Sequence, residues 1–404
     1  MKANSFLLTA ILFVTVILVL ITGCEYNVSE PLWYQPYNAA PSPVISQVIP
    51  SEATPGVNTI TIEGVNFKTD TSTTWVNFDN TPAEILSITT NSITVRRPNI
   101  ASDSCKIKII PHNAIEEAIY SPYKVSKVME KYGGFLAGAQ LGIVAVDNQE
   151  NLYVVETISK DIHKVTPAGD NTLLKGTGNI SKAPYDGKIG PDGNLYVTEN
   201  NRAVDKVDLA TGDVTRWTQL PSGKVVRFCD FGSNGFFYAG GAKTGIVILP
   251  FDLSADATVT TDYTSDEIEA IRFYNDYLYV VSKPNNSVEP VKIYKHAVNQ
   301  DGSIGTQEEV FDMNSIGDSS VVIGLTFGSD GKMFIATNSA GNAMRVVDPS
   351  GSVDTFYKGI LRPYCVNIYW GSGDYLYMIN GDTIAGEEWT VYRINMGQAG
   401  APYY

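Results

Sequence analysis

The chain has 404 residues, with 43 acidic residues against 29 Lys and Arg, which gives a net charge of −14. A chain this acidic lacks the clustered basic side chains that attract nucleic-acid phosphates, so we expect no nucleic acid among its partners. Its 23 Tyr, 35 Gly and 20 Pro, together with the scarcity of helical periods, predict an all-β protein.

Residues 1–23 have the pattern of a secretory signal peptide. Lys2 precedes an uncharged apolar run of about 16 residues that ends at Ile21. The closing segment, Leu20-Ile21-Thr22-Gly23-Cys24, resembles the lipobox of bacterial lipoproteins. This resemblance implies that the chain is cut before Cys24 and that lipid on Cys24 attaches it to a membrane. The alternative is an uncleaved anchor, although its apolar run is shorter than the roughly 20 residues that usually span a bilayer.

Residues 24–43 are rich in Pro, Tyr and Asn and show no periodicity, so they are predicted to form a flexible tether. The anchor and the tether together place the protein in the bacterial cell envelope. Glu25 rather than Asp follows the cysteine, and residues 25–30 are not densely acidic. The sequence therefore favours the outer membrane or cell surface but does not identify the leaflet.

The three cysteines beyond Cys24 are too widely spaced for a short zinc-binding motif. Their odd number leaves at least one without a disulfide partner in the same chain. Either Cys229 pairs with Cys365, or Cys105, Cys229 and Cys365 are all buried free thiols.

Residues 44–125 show the two-residue alternation of half-buried strands, for example at 59–63, 92–95 and 106–110. Ile49-Pro50, the run Ile60-Thr61-Ile62-Glu63-Gly64-Val65-Asn66-Phe67 and the later Ser92-Ile93-Thr94-Val95 resemble the IPT/TIG immunoglobulin-like family. That resemblance implies a β-sandwich acting as a spacer or adhesive module. Gly64 is predicted to permit a tight turn.

Residues 126–404 contain a sixfold repeat of short aromatic-centred strands, each preceded by a turn rich in Gly, Asp and Asn. The strands begin at intervals close to 42 residues, with one longer interval of 55, at Leu152, Leu195, Phe236, Leu278, Met333 and Leu376. Such a period predicts propeller blades of four strands each. Residues 142–165 and 190–207 resemble NHL-type repeats. We therefore predict an immunoglobulin-like β-sandwich followed by a six-bladed β-propeller, with a second sandwich as the less favoured alternative.

The last repeat has room for only three strands before the chain ends. A segment around residues 125–135, before the first repeat, is predicted to supply the fourth strand and close the ring.

Two sets of polar residues are candidates for a site at the mouth of the propeller channel. Counting back from the aromatic strands gives Asp186, Arg227 and Asn367 at the starts of inner strands. In the fourth repeat the count falls on Glu269 or, with one residue fewer, on Ala270. The second set follows the aromatic strands, where loops carry function on a rigid scaffold: Glu156, Glu199, Asn200, Lys283, Asn338 and Asn380. These residues either line a water-filled channel with salt bridges or bind a ligand.

The favoured function is a non-enzymatic binding protein of the cell envelope that holds a glycan or a protein partner. Trp217, Trp370 and Trp389 are candidates for stacking on sugars. No resident cofactor is required, although calcium is possible.

The alternative function is a calcium-dependent hydrolase of the gluconolactonase type. Asp186, Glu199 and Asn367 could imitate its set of oxygen ligands, but Arg227 in the same layer would oppose a divalent cation. Zinc chemistry is disfavoured because the propeller has only His163 and His296. Serine catalysis lacks a Gly-x-Ser-x-Gly motif.

Overall fold

A computed structural model describes residues 12, 14, 40–112, 114–136, 138–175, 180–285, 289–382 and 387–403. Cys24, the predicted signal peptide apart from Leu12 and Val14, and residues 24–39 of the predicted tether lie outside these described residues. Within them, no helix has both the length and the apolar character needed to cross a membrane.

The first domain is a β-sandwich of two antiparallel four-stranded sheets, with strand orders β1-β2-β6-β5 and β4-β3-β7-β8. The strands are β1 (Val44–Ile49), β2 (Thr59–Val65), β3 (Thr74–Phe78), β4 (Thr81–Pro82), β5 (Ile85–Ile88), β6 (Ser92–Arg96), β7 (Ser102–Pro111) and β8 (Ala118–Val125).

Alternate residues of these strands form the core of the sandwich. Ile60, Ile62, Ile93 and Val95 are fully buried between the sheets, as the two-residue alternation predicts. The prediction of a tight turn at Gly64 is wrong, because this residue lies inside β2. A methyl group there would lie 2.0 Å from the carbonyl oxygen of Val44, so glycine is required by the close approach of β1.

The second domain is a six-bladed β-propeller in which each blade is a four-stranded antiparallel sheet. Blade 1 consists of β10 (Leu141–Val146), β11 (Leu152–Glu156), β12 (Ile162–Val165) and β13 (Asn171–Lys175). Blade 2 consists of β14 (Asp186–Ile189), β15 (Leu195–Thr198), β16 (Ala203–Val207) and β17 (Val214–Gln219). Blade 3 consists of β18 (Phe228–Phe231), β19 (Phe236–Gly240), β20 (Val247–Pro250) and β21 (Thr258–Val259). Blade 4 consists of β22 (Asp266–Tyr274), β23 (Tyr277–Pro284), β24 (Lys292–Ala297) and β25 (Glu308–Asp312). Blade 5 consists of β26 (Val322–Phe327), β27 (Met333–Thr337), β28 (Met344–Val347) and β29 (Val353–Thr355). A 3-10 helix, Met313–Ile316, joins these two blades.

The sixth blade is completed by a strand from before the first blade. It consists of β30 (Cys365–Trp370), β31 (Tyr375–Asp382), β32 (Glu387–Asn395) and, as its outermost strand, β9 (Met129–Tyr132). β9 runs antiparallel to β32, with Tyr132 opposite Val391 and Met129 opposite Ile394. The predicted closure of the ring is therefore confirmed.

Tyr132 anchors the closing strand. Its ring is buried 5.6 Å from that of Tyr377, and its hydroxyl donates a 2.6 Å hydrogen bond to the carbonyl oxygen of Thr166 in the first blade. Glu130 on the same strand pairs with Arg393 of β32 at 2.5 Å. The closing strand thus contacts the last blade and the first.

Buried charges lie along the inner strands. Lys188 on β14 contacts Asp186 at 2.8 Å, and Arg272 on β22 contacts Asp230 on β18 at 3.2 Å. Arg272 also donates hydrogen bonds to the carbonyl oxygens of Ala401 and Pro402 near the C-terminus. These two hydrogen bonds hold the end of the chain where the inner strands end.

The sandwich is joined to blade 5 by polar contacts. Arg96 pairs with Asp354 at 3.2 Å, and Glu84 pairs with Lys358 at 2.8 Å. The Asn58 side chain accepts a hydrogen bond from the backbone N–H of Tyr357 and donates to the carbonyl oxygen of Thr355. The two domains therefore meet at a fixed interface in addition to their covalent link.

The three cysteines of the two domains are free and buried. Of the two alternatives left open by the sequence, three buried free thiols is the one observed.

We expect Tyr132→Ala to lower the free energy of unfolding by about 3–5 kcal/mol, because it removes a buried ring from the closing strand. The control is Lys131→Ala, at a neighbouring side chain that is 65% exposed, which should change stability by less than about 0.5 kcal/mol. Urea unfolding followed by tryptophan fluorescence measures both. Equal unfolding midpoints for the two variants would show that β9 does not hold the sixth blade.

Candidate ligand-binding site

A cavity of about 520 Å³ lies at the end of the propeller where the inner strands begin. All six blades contribute to it, mainly through the first residues of their inner strands. Its lining residues are Leu141, Gly142, Thr157, Ala183, Pro184, Tyr185, Arg227, Phe228, Glu267, Ile268, Glu269, Lys283, Val321, Val322, Ile323, Val366, Asn367 and Trp389. None of the residues that join the sandwich to blade 5 through the contacts described above is among them.

Three aromatic side chains stand in the wall of this cavity. Tyr185 and Phe228 meet edge to face, with ring centroids 5.4 Å apart, and Tyr185 is 40% exposed. Trp389 packs against Gly381, where a methyl group would lie 2.5 Å from the indole ring. The Trp389 Nε1–H is buried and has no hydrogen-bond partner among the described residues.

Charged side chains of both signs face the aromatic ones. Arg227 lies 5.4 Å from the centre of the Tyr185 ring, donates through Nε to Asn200 Oδ1 at 2.7 Å and approaches Glu267 at 3.6 Å. Glu269 lies 3.7 Å from Lys283. The cavity therefore offers donors and acceptors side by side.

Glu269 is the buried acid of the cavity. Its burial raises the pKa of the carboxyl group above the usual value, while the backbone N–H of Val322, 3.1 Å from Oε2, and Lys283 act in the opposite direction. A buried carboxyl group with a raised pKa in a cavity is a functional candidate, because its burial works against the stability of the fold.

The first set of sequence-predicted residues is only partly brought together. Arg227 and Asn367 line the cavity, and Asn200 holds Arg227 in place. Asn367 also accepts a hydrogen bond from the backbone N–H of Val144. Asp186 does not line the cavity. It is 4% exposed, paired with Lys188, and accepts from the backbone N–H of Cys229, so it belongs to the salt-bridged interior.

Of the second predicted set, Lys283 lines the cavity, Asn200 contacts the lining residue Arg227, and the other four residues hold loops together. Glu199 accepts hydrogen bonds from Ser181 and from the backbone N–H of Lys182. Asn338 accepts from the backbone N–H of Val321, and Asn380 donates to two carbonyl oxygens of the preceding loop. Glu156 contacts His163 and Ser159 on the first blade.

The three side chains considered for calcium have separate partners. Asp186 is paired with Lys188, Glu199 holds the loop at Ser181, and Asn367 binds the backbone of β10. Arg227 and Lys283 add positive charge to the cavity, which opposes a divalent cation there.

Sequence reasoning missed Tyr185 and left Glu269 undecided. The pairing of β22 with β23 gives Ala270 the position that Ile143, Gly324 and Asn367 hold in their blades, and Glu269 is the extra residue between Ile268 and Ala270. Of the three tryptophans considered for stacking, only Trp389 lines the cavity. Trp370 is completely buried, and Trp217 packs among the rings of Tyr196, Phe237 and Phe251.

Comparisons with known proteins match the first domain to a family model and most of the chain to solved structures. The model of the IPT/TIG domain family matches residues 43–125. A protein of unknown function from Bacteroides thetaiotaomicron is similar at 15% identity and a TM-score of 0.51, over 88% of this chain and 98% of that chain. An auxiliary nutrient binding protein from the same organism is similar at 13% identity and a TM-score of 0.50, over 88% and 98% of the two chains.

Regucalcin, a calcium-binding protein from Agrobacterium tumefaciens, is similar at 13% identity and a TM-score of 0.52, over 68% of this chain and 97% of that chain. No curated protein sequence matches significantly. At these identities the likeness shows a shared fold alone.

We expect Glu269→Gln to stabilise the protein at neutral pH. Because burial raises the pKa of Glu269 in the folded chain, folding loses stability as the pH rises from the ordinary glutamate value through the raised one. Gln does not ionise and so removes this loss. The melting temperature of Glu269→Gln should therefore exceed that of the wild type at pH 7 and equal it below about pH 4. Glu267→Gln is the control at a carboxyl group that is 37% exposed. An advantage of Glu269→Gln that is the same at both pH values would contradict this account.

Proposed function

We propose that this chain is a membrane-anchored binding protein of the bacterial cell envelope, and that its propeller binds a glycan in the cavity at the starts of the inner strands. The observation that carries the proposal is the combination of aromatic rings with charged and amide side chains around one concave space. Tyr185, Phe228 and Trp389 supply the rings, and Arg227 and Glu269 are among the polar groups.

Sugars present apolar C–H faces and a rim of hydroxyl groups. Aromatic rings pack against the faces, while side chains that donate and accept hydrogen bonds bind the hydroxyl groups. A volume of about 520 Å³ lies within the range typical of small-ligand sites. A concave site of this size favours a short glycan segment over a protein partner, which would need a wider surface.

The alternative of a calcium-dependent, gluconolactonase-like hydrolase receives less support from the same cavity. Its carboxylate Glu269 lies near Lys283, and the next carboxylate, Glu267, lies near Arg227. These cations compete with a metal ion for the same oxygens. A rise in melting temperature with added Ca²⁺ that is lost in Glu269→Gln would favour this alternative.

The proposed anchor is lipid on Cys24. The support is the apolar segment that ends in Leu20-Ile21-Thr22-Gly23-Cys24. In this arrangement the tether and the IPT/TIG domain act as spacers between the membrane and the propeller.

We expect Cys24→Ala to remove the lipid and to shift the protein out of the lipid-anchored fraction. Growth with a labelled fatty acid, followed by Triton X-114 partition, measures both effects in a bacterial host. Cys105→Ala, at a buried thiol of the sandwich, is the control and should keep the label. Label that remains in Cys24→Ala would contradict the anchor.

We expect the purified protein to bind a defined class of polysaccharide on a glycan array. Trp389→Ala and Arg227→Ala should each weaken that binding at least about tenfold, which corresponds to about 1.4 kcal/mol. Trp75→Ala is the matched control, because Trp75 is a half-exposed tryptophan of the sandwich, away from the cavity. The glycan proposal fails if no glycan binds, or if Trp389→Ala binds as tightly as Trp75→Ala.

A further inference from the structure

Glu156, Asp161 and His163 form a cluster on the first blade, beside the cavity but outside its lining. Glu156 ends β11, Asp161 directly precedes β12, and His163 is the second residue of β12. Each offers one ligand atom, and these atoms all lie within 4.8 Å of one another. The backbone N–H of Glu156 donates to the carbonyl oxygen of Asp161 at 3.0 Å, which fixes the loop between the two strands.

The hydrogen bonds of Asn171 determine which nitrogen of His163 is free. The amide nitrogen of Asn171 donates to the carbonyl oxygen of Gly133 at 2.7 Å, so its amide oxygen is the atom that faces the imidazole. That oxygen lies 3.0 Å from Nδ1 of His163 and can only accept, which assigns the proton to Nδ1. In the neutral imidazole, Nε2 then presents its lone pair on the other side of the ring.

This lone pair points at a carboxylate. Nε2 of His163 lies 3.2 Å from Oε1 of Glu156. A nitrogen lone pair and a carboxylate oxygen at that distance repel each other unless they share a cation, which is either a proton or a metal ion. The arrangement of Asn171, His163 and the carboxylate matches that of metal-binding histidines, whose second nitrogen is held by a hydrogen bond.

Asp161 supplies an independent observation. Its Oδ1 atom is buried and has no hydrogen-bond partner in the described part of the chain. A buried carboxylate oxygen without a partner is costly, and a bound cation would satisfy it. The other oxygen of Glu156 is held by the hydroxyl of Ser159, so the Glu156 carboxylate is oriented as well.

We propose that Glu156, Asp161 and His163 bind a divalent transition metal ion of the zinc type, with a fourth position left for water. Zinc binds nitrogen and carboxylate oxygen at roughly 2.0–2.2 Å, and tetrahedral geometry then separates two ligand atoms by about 3.3 Å. The 3.2 Å between His163 and Glu156 fits that separation. Calcium fits less well, because it takes six to eight oxygen ligands.

The site is distinct from the proposed glycan site, although the two are neighbours. Thr157 lines the cavity and directly follows Glu156, and Leu141, which also lines it, lies opposite Glu156 in the sheet. None of the three proposed ligands lines the cavity. Loss of the metal can therefore be measured without any glycan.

The test is titration of the purified, metal-free protein with Zn²⁺ in a calorimeter and with Co²⁺ in a spectrophotometer. We expect one equivalent of each, with visible cobalt bands of tetrahedral intensity. His163→Gln and Asp161→Asn should weaken binding at least about 100-fold, and Asn171→Ala, through loss of the ring orientation, about 10–100-fold. His112→Gln, at an exposed histidine of the sandwich, is the matched control and should bind as the wild type does.

Circular dichroism of each variant at the titration temperature separates loss of the site from loss of the fold. If Nε2 and Glu156 share only a proton, the wild-type protein will show no saturable uptake of Zn²⁺, and the proposal is overturned. It is also overturned if folded His163→Gln binds Zn²⁺ as tightly as His112→Gln. Neither result bears on glycan binding, which Trp389→Ala tests separately.

Discussion

Strand β9 pairs with β32 through four residue pairs, and this pairing turns a row of six sheets into a closed ring. Without it, the sixth blade would expose the outer edge of β32, whose unpaired backbone groups could recruit another chain. The cavity requires a closed ring, because all six blades supply its lining. Since β9 directly follows the sandwich, ring closure also fixes where the IPT/TIG domain leaves the propeller.

The charges of blades 3 and 4 give the two ends of the propeller different characters. Arg272 and Asp230 are almost completely buried, and Arg272 holds the carbonyl oxygens of the chain end. Buried ion pairs of this kind contribute little net stability but make the loss of either partner costly. At the other end, Arg227 and Lys283 are partly exposed in the cavity, where their charges remain accessible. Blades 3 and 4 thus bury the charges of Asp230 and Arg272 at one end and present those of Arg227 and Lys283 to solvent at the other.

Much of the fold could be predicted from the sequence because its signals are periodic. The six aromatic-centred strands are β11, β15, β19, β23, β27 and β31, and the missing fourth strand is β9. Counting along that period also found Arg227 and Asn367, because the inner strands start at a nearly constant distance from the aromatic ones. The three buried thiols remained one of two alternatives, since cysteine spacing says nothing about distance in space.

The predictions that the structure did not bear out failed for local physical reasons, which the repeat period of the blades does not reveal. Asp186 was a candidate for a ligand site or for a channel lining with salt bridges; it has the salt bridge, because Lys188, two residues along the same strand, projects to the same side, but it is buried. Tryptophan is a residue type that stacks on sugars, but the side chains of Trp217 and Trp370 pack within the core. The carboxylates beside His163 were not anticipated, because a loop of no regular period brings Glu156 and Asp161 to it. Tyr185 lies in a connection whose length has no regular repeat.

Ring closure also imposes an order of events on the growing chain. β9 is synthesised more than 250 residues before β32, the strand that it pairs with. The sandwich can fold as soon as it emerges, but the strand next to it must stay unpaired while five blades form. The last repeat to be made is therefore the one that completes the ring, and a chain that stops before β32 would keep an open sheet edge beside an already folded sandwich. The open edge would make such truncated chains susceptible to proteolysis.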